Sequence, residues 1–389
     1  MTCRRLLFGL LAGGALLGAF VVAGGYNVSA AAGHLPPVAA LLHWTMQNSV
    51  SVRAGGAPPA DLDGEARIRA GAGHYDLVCR DCHGAPGAAL TALARSLEPP
   101  PPHILDAVGH WQAEELFWIV KHGIKMTAMP AWPAQERDDE VWSMVAFLRR
   151  LPELEPEEYR RMTRGPADGE RPRPVRDDFD AELERCARCH GYDGRGARAA
   201  GLPRLGGQSE PYLLASLEAF ARGERASGIM RMQASAAERR HWPALARHYA
   251  AAEVGADGPA GRAEGAVELI HAGRRLAQHG DPERLIPACA ACHGPARYPR
   301  AERYPRIAGQ PADYLRTQLE LFRRGVRGGS DLSPIMQMAA RRLEPRDIAA
   351  LARYYESLPA AGPAEAAVTA ASAALDDAQS GAIDWATPR

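Results

Sequence analysis

The sequence predicts an all-α protein in which three tandem modules follow an apolar N-terminal helix. Three observations support this fold class. Apolar residues recur at helical spacing near the ends of the first and third modules, no alternating pattern typical of strands reaches a useful length, and one segment is repeated at an interval of about a hundred residues.

The N-terminal segment predicts a membrane helix. Leu6–Gly25 is a run of twenty uncharged, mostly apolar residues, which is about the length that crosses a bilayer. Arg4 and Arg5 precede the run and the next basic residue is Arg53, so the start is expected in the cytoplasm and the remainder in the periplasm. A cleaved signal peptide ending near Val28–Ala30 is the alternative. We favour a retained inner-membrane anchor because the run exceeds a usual signal core.

Interruptions rich in proline, glycine and charge divide the rest of the chain. The predicted division is an anchor or signal over 1–30, a connector over 31–65, module one over 66–155, a linker over 156–178, module two over 179–253, a linker over 254–264, module three over 265–359 and a low-complexity tail over 360–389.

Each module is expected to close with a helix. The apolar positions that predict these helices in modules one and three are Val141, Met144, Val145 and Leu148, and Ile348, Leu351, Tyr355 and Leu358. Pro345 suits a first helical turn.

Modules two and three are internal repeats. The segment PRLGGQSEPYLLASLEAFARGER from Pro203 matches PRIAGQPADYLRTQLELFRRGVR from Pro305 at a constant offset of 102 residues. The cysteines repeat at an offset of 103 residues and the later methionines at 106, so only short loop changes separate the copies. Duplication therefore explains the match better than convergence.

Six of the seven cysteines form three copies of C-x-x-C-H, the attachment signature of a c-type haem. Two thiols can reach the two vinyl groups of one porphyrin while the adjacent imidazole reaches its iron. A zinc site would recruit further ligands, and a redox dithiol does not need the histidine. Cys3 is read as an incidental thiol. Three covalently bound haem c groups are therefore predicted, on Cys79, Cys82 and His83, on Cys186, Cys189 and His190, and on Cys289, Cys292 and His293.

A pair of methionines follows each C-x-x-C-H motif. The pairs are Met126 and Met129, Met230 and Met232, and Met336 and Met338. Core packing is the ordinary role of methionine, but recurrence just before each terminal helix favours one member of each pair as the sixth ligand of the iron. A thioether in that position raises the reduction potential.

Other chemistry is not indicated by the sequence. The 46 basic and 46 acidic residues balance, which gives no electrostatic case for nucleic-acid binding. No catalytic constellation can be assigned, and the acidic clusters ERDDE and ELEPEE are expected to be solvated helix starts. A second histidine could replace a methionine at an iron; the candidates are His110, His122, His241, His248, His271 and His279.

Over residues 66–359 the chain resembles a multihaem class I cytochrome c. CARCHGYDG, GIMRM, CAACHG and PIMQMA give modules two and three a resemblance to the dihaem cytochrome c-four type. YDLVCRDCHGAPG and KMTAMPAW make module one similar to haem modules of membrane-bound periplasmic dehydrogenases. The resemblance implies Met129, Met230 and Met336 as axial ligands. It also implies that carbonyl groups near Pro203 and Pro305 accept a hydrogen bond from the proximal histidines. Module two has charged residues where the resembled family usually starts its closing helix, so that helix is expected to begin late, at about His241.

Three functions are consistent with these features. The first is an anchored electron carrier between a quinol- or dehydrogenase-side donor and a soluble cytochrome or terminal oxidase. The second is the cytochrome subunit of a periplasmic dehydrogenase complex. The third is a haem enzyme with an open iron, which three axial methionines argue against because a six-coordinate iron has no position for substrate.

Overall fold

A computed structural model of the chain describes residues 2–163, 177–196, 202–252, 266–293 and 301–360. Within these ranges the regular structure is helical, apart from isolated bridges. The predicted linker over 254–264 lies outside the described residues, as do most of the tail and much of the first linker. The described part therefore agrees with the predicted all-α class.

The helices fall into the three modules and the segment before them. The helices before residue 164 are α1 (Thr2–Val22), α2 (Pro36–Arg53), α3 (Glu65–His74), α4 (Arg80–His83), α5 (Ala92–Arg95), α6 (Ile104–Ala107), α7 (Ala113–His122), α8 (Asp138–Arg150) and α9 (Pro156–Thr163). Those of modules two and three are α10 (Asp178–His190), α11 (Glu210–Arg222), α12 (Gly228–Ala236), α13 (Trp242–Ala251), α14 (Ala266–His279), α15 (Ala290–His293), α16 (Ala312–Arg323), α17 (Ser333–Ala340) and α18 (Pro345–Ser357).

Helix α1 is long and apolar enough to cross a membrane. Its span Arg4–Val22 has a mean hydropathy of 2.0, and none of it is buried against the rest of the described chain. A signal sequence has the same properties. The length and composition of the N-terminal helix are therefore consistent with a membrane anchor and with a signal peptide.

The connector contains a helix that was not predicted. Pro36 lies in the first turn of α2, where its fixed φ suits a helix start. Near the other end, Val50 is fully buried and the Ser51 hydroxyl donates a hydrogen bond of 2.6 Å to Glu115 on α7. The connector therefore packs on module one.

Module one is organised around the crossing of α3 and α8. The two helices approach so closely at Gly71 that a Cβ there would lie 2.2 Å from the carbonyl oxygen of Ser143. Tyr75 and Phe147 fill the core beside this crossing. Tyr159 of α9, which lies within the predicted linker 156–178, joins the same core and hydrogen-bonds to Asp76 at 2.9 Å.

Module three repeats the crossing with α14 and α18. A Cβ on Gly273 would lie 2.1 Å from the carbonyl oxygen of Ala350, so this helix pair is also in backbone contact. Module two has a smaller core, formed by Leu183, Leu213, Leu245, Ala246 and Tyr249. Its closing helix begins at Trp242 after a single turn over Arg239–His241, which agrees with the predicted late start.

Modules two and three pack through matching residues of the repeat. The backbone N–H of Arg204 donates to the side chain of Gln310, and the N–H of Arg306 donates to Gln208, both at 2.9 Å. Each glutamine amide returns a bond to the carbonyl of the arginine on the other module, at 2.8 and 2.7 Å. The interface therefore has a pseudo-twofold arrangement that follows from the duplication.

Candidate haem centres

Each C-x-x-C-H motif lies at the end of a helix. In module one a π-helical turn over Tyr75–Cys79 leads into α4, and in module two the motif ends α10. One helical turn separates the two cysteines, so both point to the same side. Gly84 and Gly191 follow the histidines with φ of 69° and 74°, a backbone conformation that favours glycine, and each ends its helix there.

The three motif histidines have the same orientation. The Nδ1 atoms of His83, His190 and His293 lie 3.1, 3.2 and 3.2 Å from proline carbonyl oxygens, those of Pro102, Pro203 and Pro305. A carbonyl only accepts, so Nδ1 carries the proton and Nε2 keeps its lone pair. Burial lowers the pKa of all three imidazoles, which favours the neutral form that binds a metal. The bonds at Pro203 and Pro305 match the expectation from the resemblance, and Pro102 adds the third.

The methionine pairs differ in exposure. In module one Met126 is 81% exposed, with φ of 62°, whereas Met129 is half-buried and its N–H donates to Thr127 Oγ1 at 3.1 Å. In module three Met338 is 71% exposed and Met336 is half-buried. Both members are half-buried in module two. In modules one and three, one methionine of the pair is therefore exposed and the other is half-buried.

A cavity of about 420 Å³ lies between modules two and three. It is lined by residues of both sites, among them Cys186, His190, Met230, Cys289, Cys292, His293 and Met336. A second cavity, of about 250 Å³, brings Cys189, His190 and Met230 together with His74 and Glu140 of module one. Neither of these two cavities includes His83 or Met129.

The larger cavity is electrostatically suited to an anionic group. Arg225 and Arg327 line it, and both are buried. Their hydrogen bonds, within the described part of the chain, go to neutral groups of Tyr212, Ser216, Tyr314 and Gln318. Two buried positive charges need anionic compensation, and each haem c carries two propionates.

Two tyrosines of the same cavity also fit a haem. The hydroxyl groups of Tyr249 and Tyr355, which are counterparts in the repeat, are buried and find no hydrogen-bond partner among the described residues. Buried polar groups are normally paired. Together with the two arginines and the preset histidines, these unpaired hydroxyls fit the cavity to a porphyrin with polar edges.

The six alternative histidines do not line either cavity. His122 is exposed and packs beside Trp118 at 5.0 Å, and His248 lies 2.7 Å from the carbonyl oxygen of Tyr192. His74, which sequence reasoning did not single out, is buried beside Trp132, and burial lowers its pKa to about 4. No sequence signal distinguishes it from an ordinary core histidine.

Modules one and two meet beside the second cavity. Asp76 accepts a hydrogen bond from Arg188 at 2.9 Å, and Trp132 of the KMTAMPAW segment packs against Gly228, where a Cβ would lie 2.2 Å from Nε1 of the indole. The expectation that ERDDE is a solvated helix start was wrong for two of its residues, Arg137 and Glu140. Arg137 is 8% exposed and donates to the carbonyl of Ala226 at 2.8 Å. Glu140 is 6% exposed because it lies in this contact.

Comparisons with known proteins identify the family. A family described as cytochrome c matches residues 180–254 and 271–359, and one described as cytochrome c oxidase, cbb3-type, subunit III matches residues 66–148. A thiosulfate dehydrogenase electron acceptor of Stutzerimonas stutzeri is 38% identical over 173 residues, 44% of this chain and 78% of that protein. The chain is a multihaem class I cytochrome c.

Two further relatives of this cytochrome support the same family. A thiosulfate dehydrogenase electron acceptor of Thiomonas intermedia is 36% identical and covers 46% of the chain and 80% of its own length. Cytochrome c4 of Azotobacter vinelandii is 33% identical and covers 44% of the chain and 84% of its own length. The cytochrome is thus an electron-transfer protein with covalently bound haem c. For module one, the resemblance to a cytochrome domain is confirmed, and its assignment to a dehydrogenase subunit stays a prediction.

Proposed function

We propose that this cytochrome carries single electrons through three haem c groups, one in each module. The observation that supports the proposal most strongly is that all three motif histidines donate Nδ1–H to a proline carbonyl and so leave Nε2 available. The proposed axial pairs are His83 with Met129, His190 with Met230 and His293 with Met336.

In this proposal haem, when bound, would supply a one-electron ferrous–ferric couple. The paired cysteines of each motif would form thioethers with the porphyrin, and the proline carbonyls would fix the histidine rings. The methionine thioethers would favour the ferrous form and so set a high potential. Arg225 and Arg327 offset propionate charge between modules two and three.

The proposed electron donor is a separate dehydrogenase. Two relatives carry the name thiosulfate dehydrogenase electron acceptor, so a periplasmic oxidiser of a small sulfur compound is the donor class that the relatives favour. The acceptor would be a soluble cytochrome or a terminal oxidase. The second candidate, a stable subunit of a dehydrogenase complex, differs from a free carrier in whether the two proteins stay together.

Co-purification distinguishes these two candidates. If the cytochrome is a free carrier, tagged protein solubilised in mild detergent at moderate salt should elute without a stoichiometric dehydrogenase subunit, yet a dehydrogenase-containing fraction should reduce it. Elution with such a subunit at a one-to-one ratio would favour the complex. If no dehydrogenase-containing fraction reduced the protein, the proposed donor class would be wrong.

We also propose that α1 is retained as an inner-membrane anchor and that the haem modules lie in the periplasm. Helix α1 has the hydropathy of a membrane span, and Arg4 and Arg5 precede its apolar part. Attachment to the membrane would limit the cytochrome to partners near the same surface.

Intact mass tests the haem number and the anchor together. The expected mass is that of the whole chain plus three haem groups, because each C-x-x-C-H motif binds one and α1 is not removed. A pyridine haemochrome assay on the same sample should give three haems per chain. Two haems or fewer would contradict the haem assignment, and a mass lower by the first thirty residues would show a cleaved signal.

A further inference from the structure

Helix α12, which carries Met230, begins in a contact with module one. The hydroxyl of Ser227 donates to Glu140 Oε1 at 2.6 Å, and the N–H of Gly228 donates to Glu140 Oε2 at 2.7 Å. Ser227 is the N-cap of α12 and Gly228 its first helical residue. A carboxylate at this position satisfies a free N–H and lies at the positive end of the helix dipole.

The same carboxylate is linked to Met230 through Ser227. The Ser227 oxygen that donates to Glu140 also accepts the backbone N–H of Met230, at 3.1 Å. Glu140 thereby fixes the rotamer of the hydroxyl that caps the ligand residue's own backbone. Two hydrogen bonds link a side chain of module one to the axial methionine of module two.

Glu140 is itself held firmly. Trp132 Nε1–H donates to Oε2 at 3.2 Å, and Arg137 Nη1 lies 2.9 Å from Oε1. Arg137 also donates to the carbonyl of Ala226, the residue before the N-cap, at 2.8 Å. The carboxylate is therefore buried and fixed between module one and the start of α12, unlike a mobile surface charge.

Packing reinforces this contact. Ile229 packs against the core of module one, and Gly228 has no room for a Cβ beside Trp132. Both residues lie within two positions of Met230 in the chain. The first turn of α12 is thus shaped by module one through apolar contact as well as through hydrogen bonds.

Within the described part of the chain, the corresponding helix of module three, α17, begins without such a contact. Ser333, the counterpart of Ser227, accepts its hydrogen bond from the N–H of Ser330 at 3.1 Å, and Met336 N–H bonds to the carbonyl of Leu332. Ile335, the counterpart of Ile229, is 51% exposed. The two copies of the repeat therefore differ at this point because module one packs on only one of them.

From these contacts we propose that Glu140 of module one is a positioning residue for the iron of module two, acting through Ser227 and the first turn of α12 on Met230. The proposal rests on the proposed ligand set. Its consequence is that the potential of the second haem depends on the docking of module one, whereas that of the third does not.

The test uses the full-length haem-loaded protein and two readouts, the ligand methionine methyl resonances of the reduced protein and the potential of each haem. Met230→Leu first identifies the resonance of the second haem. Glu140→Gln should then shift that resonance and raise that haem's potential, because a negative charge linked through Ser227 to the proposed ligand methionine is removed. Ser227→Ala should move the same resonance, and the double variant should not be additive, since both changes break one linkage.

Matched control variants distinguish a positioning effect on Met230 from a general loss of structure. Glu115→Gln changes another helix-capping carboxylate of module one, and Ser333→Ala changes the counterpart of Ser227; neither should affect the Met230 resonance. An unchanged Met230 resonance in both Glu140→Gln and Ser227→Ala would overturn the proposal, as would a Glu140→Gln variant that shifts the Met129 resonance equally. If Met230→Leu removed no methionine resonance, the ligand assignment itself would fail, independently of Glu140.

Discussion

Replacing Met129 by alanine should open one of the three irons to carbon monoxide. The reduced wild-type protein should not bind it, because the proposed ligand set gives each iron six ligands. The variant should also lose one haem's share of the weak sulfur-to-iron absorption band in the red and have one lowered potential, because the thioether no longer favours ferrous iron. Carbon monoxide titration with visible spectroscopy measures the first two effects, and a redox titration measures the third.

The neighbouring methionine provides the control. Met126 is in the same segment but is 81% exposed, whereas Met129 is half-buried and tied to Thr127. Met126→Ala should therefore leave the band, the potentials and carbon monoxide binding unchanged. An open iron in Met126→Ala instead of Met129→Ala would reverse the assignment. Carbon monoxide binding by the wild-type protein would restore the hypothesis of a haem enzyme.

Replacing Gly273 by alanine should destabilise module three by about 2 kcal/mol. Alanine favours a helix over glycine by about 1 kcal/mol, but overpacking costs about 3 kcal/mol when the neighbour cannot move. Here the neighbour is the backbone oxygen of Ala350, 2.1 Å from the added Cβ. Calorimetric unfolding of the haem-loaded variant should show a lowered midpoint for the transition of this module.

Gly109→Ala is the matched control for this effect. No atom of the described residues lies within 4 Å of a Cβ at Gly109. The same chemical change there should be neutral or slightly stabilising, since alanine has less conformational freedom in the unfolded chain. Equal stability of Gly273→Ala and the wild-type protein would mean that α14 and α18 separate easily, contrary to the close crossing.

Much of the fold and of the haem-attachment chemistry was predictable because it depends on short stretches of sequence. Helical spacing predicted α8 and α18, and the charged residues before His241 predicted the late start of α13. The helix in the connector was missed because α2 lacks a strong apolar stripe and depends on its contact with module one, where Val50 is buried.

The interfaces were not predictable, because charged residues give the same local pattern whether they are solvated or buried. Glu140 belongs to an acidic cluster that reads as a solvated helix start, and only its meeting with Ser227, 87 positions later, buries it. Likewise, Arg225 and Arg327 read as ordinary arginines of the repeat. They become buried charges because the two modules face each other.

The sequence by itself determined the number and spacing of the C-x-x-C-H motifs, the duplication of modules two and three and the all-α class. The motifs and the helical spacing depend on residues a few positions apart, and the duplication is a direct match of two segments, so a linear pattern can record them. Only the tertiary structure decided that module one packs on module two, that the first turn of α12 is built around Glu140, and that α17 of module three has no equivalent contact among the described residues. Such features depend on side chains brought together from distant parts of the chain, where burial and hydrogen bonding change the energy of a charge that the sequence alone presents as exposed.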